Sequence, residues 1–363
     1  MTEFGKSRVF IIAEAGVNHN GSLDQALALV DVAAEAGADA VKFQTFKAEE
    51  VISRNAAKAE YQLMTTNENE SQLEMAKKLE LDLSAHKQII RRCEMRKIQF
   101  LSTPFDLPSV DMLVKDLKVA RIKVPSGEIT NGPLLLRVAQ SGLPVILSSG
   151  MSTLGDIEDA LAVLAFGYLQ SSAVPSIAGF KRAFLSTEGQ QQLQQKVILL
   201  HCTTEYPTPF DDVNLLAMDT IANAFGLPVG LSDHTVGYSV AIAAVARGAC
   251  VIEKHFTLDR NLPGPDHKAS LEPGELTAMV TAIREVEQAI GSPRKLVAAS
   301  EAKNQNIARK SLVALQTILK GEPFTSQNLG AKRPGTGIAP IRYWELLGKT
   351  STRDYGRDEV IIP

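Results

Sequence analysis

The stretch GLPVILSSG at residues 142–150 recurs, with few changes, as GLPVGLSDH at residues 226–234. In each copy a Gly-Leu-Pro turn ends a helical pattern, and an apolar run that finishes in polar residues follows it. Such near-continuous apolar runs are typical of parallel strands that are covered on both faces. The repeat therefore predicts a helix-to-strand unit that occurs more than once.

Similar apolar runs alternate with amphipathic helical patterns through the first 290 residues. We predict strands at 9–14, 39–44, 98–103, 119–125, 144–149, 197–203, 228–233 and 249–255. Eight such units predict an α/β fold of the TIM (β/α)8 barrel type. The rival fold, a doubly wound open sheet, calls for GxGxxG after the first strand, and AEAGVNHNG at 13–21 does not supply it.

Other features of the chain qualify this regular pattern. AGADAVKF at 36–43 resembles RGACVIEKH at 247–255, which suggests that Lys42 and Lys254 occupy equivalent strand ends. Residues 45–84 and 168–195 interrupt the rhythm, and loops of that length are usually functional or mobile. We predict a barrel at 1–290, a linker at 291–304 and a small β-rich domain at 305–363.

Charge and composition exclude several classes of protein. The net charge of −3 argues against a dedicated nucleic-acid binder or a polybasic membrane binder. From Lys303 onward, 10 basic and 5 acidic residues give +5, against −8 for the rest, which suits an anionic ligand, a contact between subunits or a solvated basic face. Three scattered cysteines, no long apolar span and no signal peptide lead us to expect a cytoplasmic protein.

Polar or ionisable side chains follow all eight predicted strands, where the loops of a TIM barrel build active sites. Asn18 and His19 follow the first strand, and lysines and hydroxyls follow later ones. We therefore expect an enzyme rather than a structural barrel. Lysines and hydroxyls on converging strands suit a phosphate, and the candidate anion site comprises Lys42, Thr103, Lys123, Ser126 and Ser148. Each lysine could instead pair with a neighbouring carboxylate, or one could act as a Schiff-base nucleophile.

His234 and His255 end the two last strands, which are neighbours about 4.8 Å apart in a barrel. Two imidazoles so placed can bind one divalent cation, although a single strand-end histidine is more often structural. Asp266 lies close downstream. Glu128, beyond the fourth strand, is a candidate general acid or base, or a surface carboxylate.

Specific blocks of sequence resemble the bacterial sialic acid synthase family over nearly the whole chain. They include IIAEAGVNHNG (11–21), KFQTFKAE (42–49), KVPSGEITN (123–131), LLHCTTEYPTP (199–209) and GLSDHT (230–235). The block EKHFTLDRNLPGPDHKASLEPGEL (253–276) belongs to the same set, and KRPGTGI (332–338) lies in a tail similar to the antifreeze-like SAF domain of these synthases.

The resemblance implies condensation of phosphoenolpyruvate with the open-chain aldehyde of an N-acylated mannosamine-type sugar, with release of phosphate. It implies that Tyr206 and Ser232 join the anion set in binding phosphoenolpyruvate, that His234 and His255 bind Mn²⁺ or Mg²⁺, and that Glu128 helps water to add. It also implies a domain-swapped homodimer. The implied sugar-binding residues are Glu14, Gln44, Tyr206, Asp266 and, from the partner subunit, Arg333.

The acceptor stays open between N-acetylmannosamine, which leads to N-acetylneuraminate, and 2,4-diacetamido-2,4,6-trideoxymannose, which leads to N,N′-diacetyllegionaminate. Phe43 and Phe46 stand where some sialic acid synthases have histidines, and we expect them to favour the 6-deoxy sugar. Two other classes also stay open: a Schiff-base pyruvate lyase that uses Lys42 or Lys123, and a non-catalytic carbohydrate-binding protein built around the tail.

Overall fold

A computed structural model of the protein describes residues 8–56, 70–170 and 172–362. Eight parallel strands pair in the order β3-β2-β1-β8-β7-β6-β5-β4, and β3 also lies beside β4, so the ring is nearly closed. The predicted TIM barrel is confirmed. The strands are β1 Phe10–Gly16, β2 Ala40–Thr45, β3 Gln99–Pro104, β4 Ile122–Val124, β5 Val145–Ser148, β6 Val197–Cys202, β7 Val229–Asp233 and β8 Val251–His255.

Helices follow the strands and cover the outside of the ring. Those of the barrel unit are α1 Leu23–Glu35, α2 Ala48–Val51, α3 Gln72–Lys77, α4 Leu83–Arg96, α5 Leu107–Asp111, α6 Gly132–Gln140, α7 Leu154–Tyr168, α8 Ile177–Leu185, α9 Thr187–Lys196, α10 Ala217–Phe225, α11 Ser239–Ala246 and α12 Pro273–Ile290. A π-helical turn, Met112–Asp116, continues α5, and 3-10 turns cover Ser126–Glu128, Phe210–Asp212 and His267–Ala269.

Two apolar layers hold the barrel together, because successive side chains of a strand point to opposite faces. One face of each strand packs against the helices, as Phe43 does. The other face fills the barrel interior, where Ile12, Leu101, Ile146 and Leu200 meet. The same alternation decides which polar residues reach the mouth of the barrel.

Residues 168–195 differ from the long loop that we expected. They contain α8 and most of α9, each of which begins at a serine whose side chain accepts a hydrogen bond from the first turn: Ser176 for α8 and Ser186 for α9. Both helices pack against α7. In the other interruption, 45–84, the structure places α2 and α3, and residues 57–69 lie outside the described part of the chain.

The chain divides into two compact units, Met1–Gly291 and Ser292–Pro363. Helix α13, Ala299–Ala308, covers the last six residues of the predicted linker and continues beyond it. The second unit has an antiparallel pair, β9 Ser311–Ala314 and β10 Leu329–Lys332, a 3-10 turn at Pro340–Arg342, the short α14 Tyr343–Leu346, and an apolar core of its own. None of the helices in the described residues combines the length and apolar character needed to cross a membrane.

Candidate active site

A cavity of about 340 Å³ opens at the carboxyl ends of the barrel strands. Most of the candidate residues of the barrel line it, so the side chains that the sequence scatters over 250 residues meet in one place. The lining includes Glu14, Lys42, Gln44, Thr103, Lys123, Ser126, Tyr206, Ser232, His234, His255 and Asp266.

The floor of this cavity is a buried network of two lysines and two glutamates. Lys42 Nζ lies 2.7 Å from Glu14 Oε2 and donates to Thr103 Oγ1 at 2.9 Å. Glu253 Oε1 accepts from Lys123 Nζ at 3.1 Å and from Ser232 Oγ at 3.0 Å. Lys42 Nζ and Glu253 Oε2 are 3.8 Å apart, which links the two halves. The salt bridges that we kept as an alternative for the lysines are therefore present, and they lie within the cavity.

Burial and close charges shift the pKa values of this floor in opposite directions. Burial raises the pKa of Glu14 to about 7, more than Lys42 lowers it. Burial also acts to raise the pKa of Glu253, but Lys123 and Lys42 outweigh it and bring that pKa to about 2. Burial acts to lower the pKa of Lys42, but Glu14 and Glu253 outweigh it and raise that pKa. Of the two carboxyl groups in the floor, Glu14 is thus the one that can hold a proton near neutral pH.

His234 and His255 face each other across one side of the cavity, with ring centroids 5.4 Å apart. His234 Nδ1 lies 2.7 Å from the carbonyl oxygen of Thr203, to which it donates, so in the neutral ring Nε2 keeps its lone pair. The ring of Tyr206 lies beside that of His234, with the centroids 4.2 Å apart and the planes tilted by 35°.

The two histidines fit a divalent cation. His255 Nδ1 is buried without a hydrogen bond and lies 3.9 Å from Asp266 Oδ2. Burial, together with His234, lowers the pKa of His255 well below its usual value, so its ring is a neutral potential ligand. Among residues 8–56, 70–170 and 172–362, no three His, Cys, Asp or Glu side chains form a ready-made metal cluster. The pair would therefore leave positions open for substrate or water.

Three candidate residues lie outside this lining. Glu128 is half-buried in the 3-10 turn that leads into α6. Its carboxylate accepts a hydrogen bond from Asn131 Nδ2 at 2.6 Å. Ser148 Oγ is buried without a hydrogen bond. Arg333 belongs to the second unit, where Nε donates to the carbonyl oxygen of Ala308 at 3.0 Å. Their roles stay predictions.

Two of our predictions, for Phe43 and for Lys254, assigned a side chain to the wrong face of its strand. Phe43 is fully buried between the strands and the helices, where its ring stacks with Phe100, and it does not shape the cavity. Lys254 is not the counterpart of Lys42, because the residue that aligns with Lys42 in the repeat is Glu253. A shift of one residue turns a side chain to the other face of a strand.

The segments that follow β2 and β3 supply an apolar wall to the cavity. Phe46 follows the strand itself, and Met75 comes from α3. Phe105, beyond β3, meets Phe46 edge to face at 6.2 Å. The wall that we define here comprises Phe46, Val51, Ile52, Met75, Ala76, Leu79 and Phe105. It gives a charged cavity one side that suits methyl groups.

Asn18 and His19 are buried and do not line the cavity. Asn18 Nδ2 donates to the carbonyl oxygen of Phe256 at 2.8 Å and to Ser270 Oγ at 2.9 Å. Ser270 Oγ in turn donates to the carbonyl oxygen of Asp266 at 2.6 Å. This chain of hydrogen bonds anchors the loop after β8, which brings Asp266 to the cavity.

Sequence reasoning placed Glu253 at a strand end without giving it a role, and it missed Cys202 as a cavity residue. Glu253 binds three groups of the floor, and Cys202 Sγ lies 3.8 Å from His234 Nδ1. The signal for Glu253 was available, because it lies two residues before His255 on a strand and so points to the same face.

The chain is similar to known proteins over nearly its whole length. The NeuB family profile matches residues 29–295, and the SAF domain profile matches residues 309–363. The chain is 53% identical to the N,N′-diacetyllegionaminic acid synthase of Campylobacter jejuni over 98% of this chain and 99% of that one. It is 44% identical to the enzyme of the same name from Legionella pneumophila, over 93% and 89% of the two chains.

A solved structure is also similar. It is the N-acetylneuraminic acid (sialic acid) synthetase of Leptospira borgpetersenii in complex with citrate, with a TM-score of 0.67 and 35% identity. The match covers 82% of this chain and 90% of that one.

Proposed function

The chain belongs to the NeuB family, and from that premise we propose that its acceptor is 2,4-diacetamido-2,4,6-trideoxymannose, so that its product is N,N′-diacetyllegionaminate. It is a nonulosonic acid synthase: phosphoenolpyruvate condenses with the aldehyde of the sugar, water adds, and cleavage of a C–O bond releases phosphate. The observation that carries the choice of acceptor is the apolar wall.

The wall supports a 6-deoxy sugar on physical grounds. A C6 methyl group or an additional acetamido methyl group loses little by leaving water for contact with Phe46 and Met75. A C6 hydroxymethyl group would there lose its hydrogen bonds to water. The names of the two relatives at 53% and 44% identity support the same acceptor.

An acceptor panel tests this proposal. Phosphate release from phosphoenolpyruvate would be measured with the 6-deoxy diacetamido sugar and with N-acetylmannosamine. We expect kcat/KM to favour the 6-deoxy sugar about tenfold or more, since one small group in such a pocket is worth ~1–3 kcal/mol. Equal or higher kcat/KM with N-acetylmannosamine would reverse the assignment.

The floor suits phosphoenolpyruvate, which carries a carboxylate and a phosphate. We assign its anionic groups to Lys42 and Lys123, with hydroxyls from Thr103, Ser126, Ser148, Tyr206 and Ser232. When Glu14 takes up a proton, the floor of two lysines and one remaining carboxylate becomes net positive. A protonated Glu14 can then donate a hydrogen bond to the substrate.

His234 and His255 would hold a Mn²⁺ or Mg²⁺ ion, which when bound supplies Lewis-acid polarisation of the aldehyde oxygen. The protein's own side chains bind and orient the two substrates. The lysines orient the enol, Tyr206 covers His234, and Gln44, Glu14 and Asp266 bind sugar hydroxyls. Burial raises the pKa of Asp266 to about 6, so it can donate or accept a hydrogen bond at physiological pH. Glu128 stays our candidate for assisting the addition of water.

The names of the relatives favour neither alternative class from the sequence. A Schiff-base lysine must lose its proton before it attacks. Glu14 and Glu253 keep Lys42 charged. Burial lowers the pKa of Lys123 more than Glu253 raises it, although Lys123 Nζ lies 3.1 Å from Glu253 Oε1, so Lys123 is the lysine at which the lyase is tested. The cavity with its paired ionisable groups is also more than a non-catalytic carbohydrate site requires. Covalent trapping of pyruvate by borohydride would revive the lyase.

For Arg333 we propose a role in the barrel of a partner subunit. It is an exposed residue in the Pro-Gly-rich loop of the basic second unit, and its planar guanidinium can donate paired hydrogen bonds to a sugar. Mixing Arg333→Ala chains with His255→Ala chains should restore part of the activity, since one composite site per mixed dimer would be intact. If verified mixed dimers stay inactive while treated wild-type dimers remain active, Arg333 does not act across subunits.

A further inference from the structure

A buried ion pair, Asp233 with Lys254, lies one residue before each cavity histidine. The two residues are direct register partners on β7 and β8. Lys254 Nζ donates to Asp233 Oδ2 at 2.9 Å, and their side chains are 0% and 1% exposed. The pair lies on the helix-facing side of the barrel, whereas Ser232 and Glu253, one residue earlier, meet on the inner side.

The same pair also holds the residue after His234. Lys254 Nζ donates to the carbonyl oxygen of Thr235 at 2.5 Å. Asp233 Oδ1 accepts from the backbone N–H of Thr235 at 2.9 Å and from its hydroxyl at 2.8 Å. The neighbours of His234 on both sides are therefore tied to Lys254, which itself adjoins His255.

We propose that Asp233 and Lys254 are positioning residues that set the spacing of the His234 and His255 imidazoles. A hydrogen-bonded charge pair is directional, so it allows fewer relative placements of two strands than apolar contact does. The ring separation of 5.4 Å would then depend on this link. The consequence for metal binding rests on the proposed function, whereas the consequence for ring spacing does not.

The competing explanation is that the pair only stabilises the fold. A charge-neutral double variant, Asp233→Asn with Lys254→Met, separates the two. Asparagine keeps the oxygen that accepts from Thr235, and methionine keeps most of the side-chain length. Because replacing both members of a buried ion pair is often neutral for stability, we expect the variant to stay folded.

Metal binding, thermal unfolding and crystal structures of the variant would be measured with Mn²⁺ alone as the probe. We expect affinity for Mn²⁺ to fall about tenfold or more, as when other groups that orient a ligand are removed. We also expect the two rings to move apart. The control is Arg284→Met, which removes the ion pair with Asp39 at 2.6 Å, beside the amino end of β2. It should lower the melting temperature and leave Mn²⁺ affinity unchanged.

Mn²⁺ affinity within twofold of the parent, with the rings still 5.4 Å apart, would overturn the proposal. A parallel fall of affinity in the Arg284→Met control would also overturn it, because general destabilisation would then explain both. If the parent and His234→Ala bind Mn²⁺ equally, the proposed metal site fails instead. In that case the ring separation in the crystal structures still decides the positioning claim.

Discussion

The barrel carries two buried lysine–carboxylate systems, one on each face of its sheet, and they differ in what they leave unpaired. On the outer face, both oxygens of Asp233 accept hydrogen bonds, and Lys254 donates two. On the inner face, Glu253 Oε2 is buried without a hydrogen bond, and so is Ser148 Oγ. A polar ligand can form hydrogen bonds with buried groups that have no partner in the protein. The outer pair therefore has no capacity left for a ligand and acts only on the groups around it, whereas the inner network can bind one.

The largest effect should follow from the histidines of the inner face. His255→Ala should lower turnover about 10³-fold or more, because Lewis-acid stabilisation is worth several kcal/mol. Chelation of the parent should do the same, and Mn²⁺ or Mg²⁺ should restore its activity. Phosphate release measures both.

The matched control for that prediction is His201→Asn. His201 Nε2 bonds the carbonyl oxygen of Val213 at 2.6 Å, and the ring does not line the cavity. This variant should keep most of its activity. Full activity of the parent in excess chelator would contradict the prediction and show that the inner site does not need a metal ion.

The second effect should follow from Lys42→Met, which breaks the inner network. We expect kcat/KM for phosphoenolpyruvate to fall about 10²-fold or more, as when one preorganised donor is removed from an active site. Stability should change less, because Glu14 can take up a proton when its partner is lost. The control Lys115→Met removes an exposed pair with Asp111, which contributes little. Similar kinetics for the two variants would show that the inner network does not bind phosphoenolpyruvate.

The third effect should follow from Lys254→Met alone, which breaks the outer pair. It leaves the charge of Asp233 buried and uncompensated, so we expect the free energy of unfolding to fall by about 3–5 kcal/mol. Adding Asp233→Asn should recover much of this loss. Denaturant titration of both variants is the measurement, and an unchanged midpoint for the single variant would show that the pair does not stabilise the fold.

The fourth effect concerns pH. Glu14 has an ordinary pKa of 4.5 and a folded pKa of about 7, so the folded protein holds a proton that the unfolded chain has released. Between these values the contribution of Glu14 to stability falls as the pH rises. The parent should therefore lose stability more steeply than Glu14→Gln, by up to about 1.4 kcal/mol per pH unit. Parallel stability curves from denaturant titrations across this window would contradict it.

The smallest effect should be on the choice of acceptor. Phe46→His makes the apolar wall polar, and we expect the ratio of kcat/KM values to shift about tenfold toward N-acetylmannosamine. The control is Met151→Gln. Met151 follows β5 and lines the cavity on a different side of the barrel from the apolar wall. An equal shift in both variants would indicate a general change in polarity rather than a specific contact with the sugar.

The internal repeat and the apolar runs predicted the barrel, because a parallel strand covered on both faces must be apolar along its length. Strand ends could be located to within a few residues, and that was enough to collect Lys42, Lys123, His234 and His255 into one candidate site. The helices within 168–195 were not predicted, although serines that could begin them were present.

What the sequence determined by itself is the set of strands, their order along the chain and the chemistry available at their ends. Which face each side chain takes was decided only in the folded barrel. Lys42 and Lys254 both stand near the end of an apolar run, yet one residue of register puts the first in the cavity and the second against the helices. The physical reason is that side chains alternate along a strand, so a choice of face depends on exact register, and register is set by packing across the whole sheet.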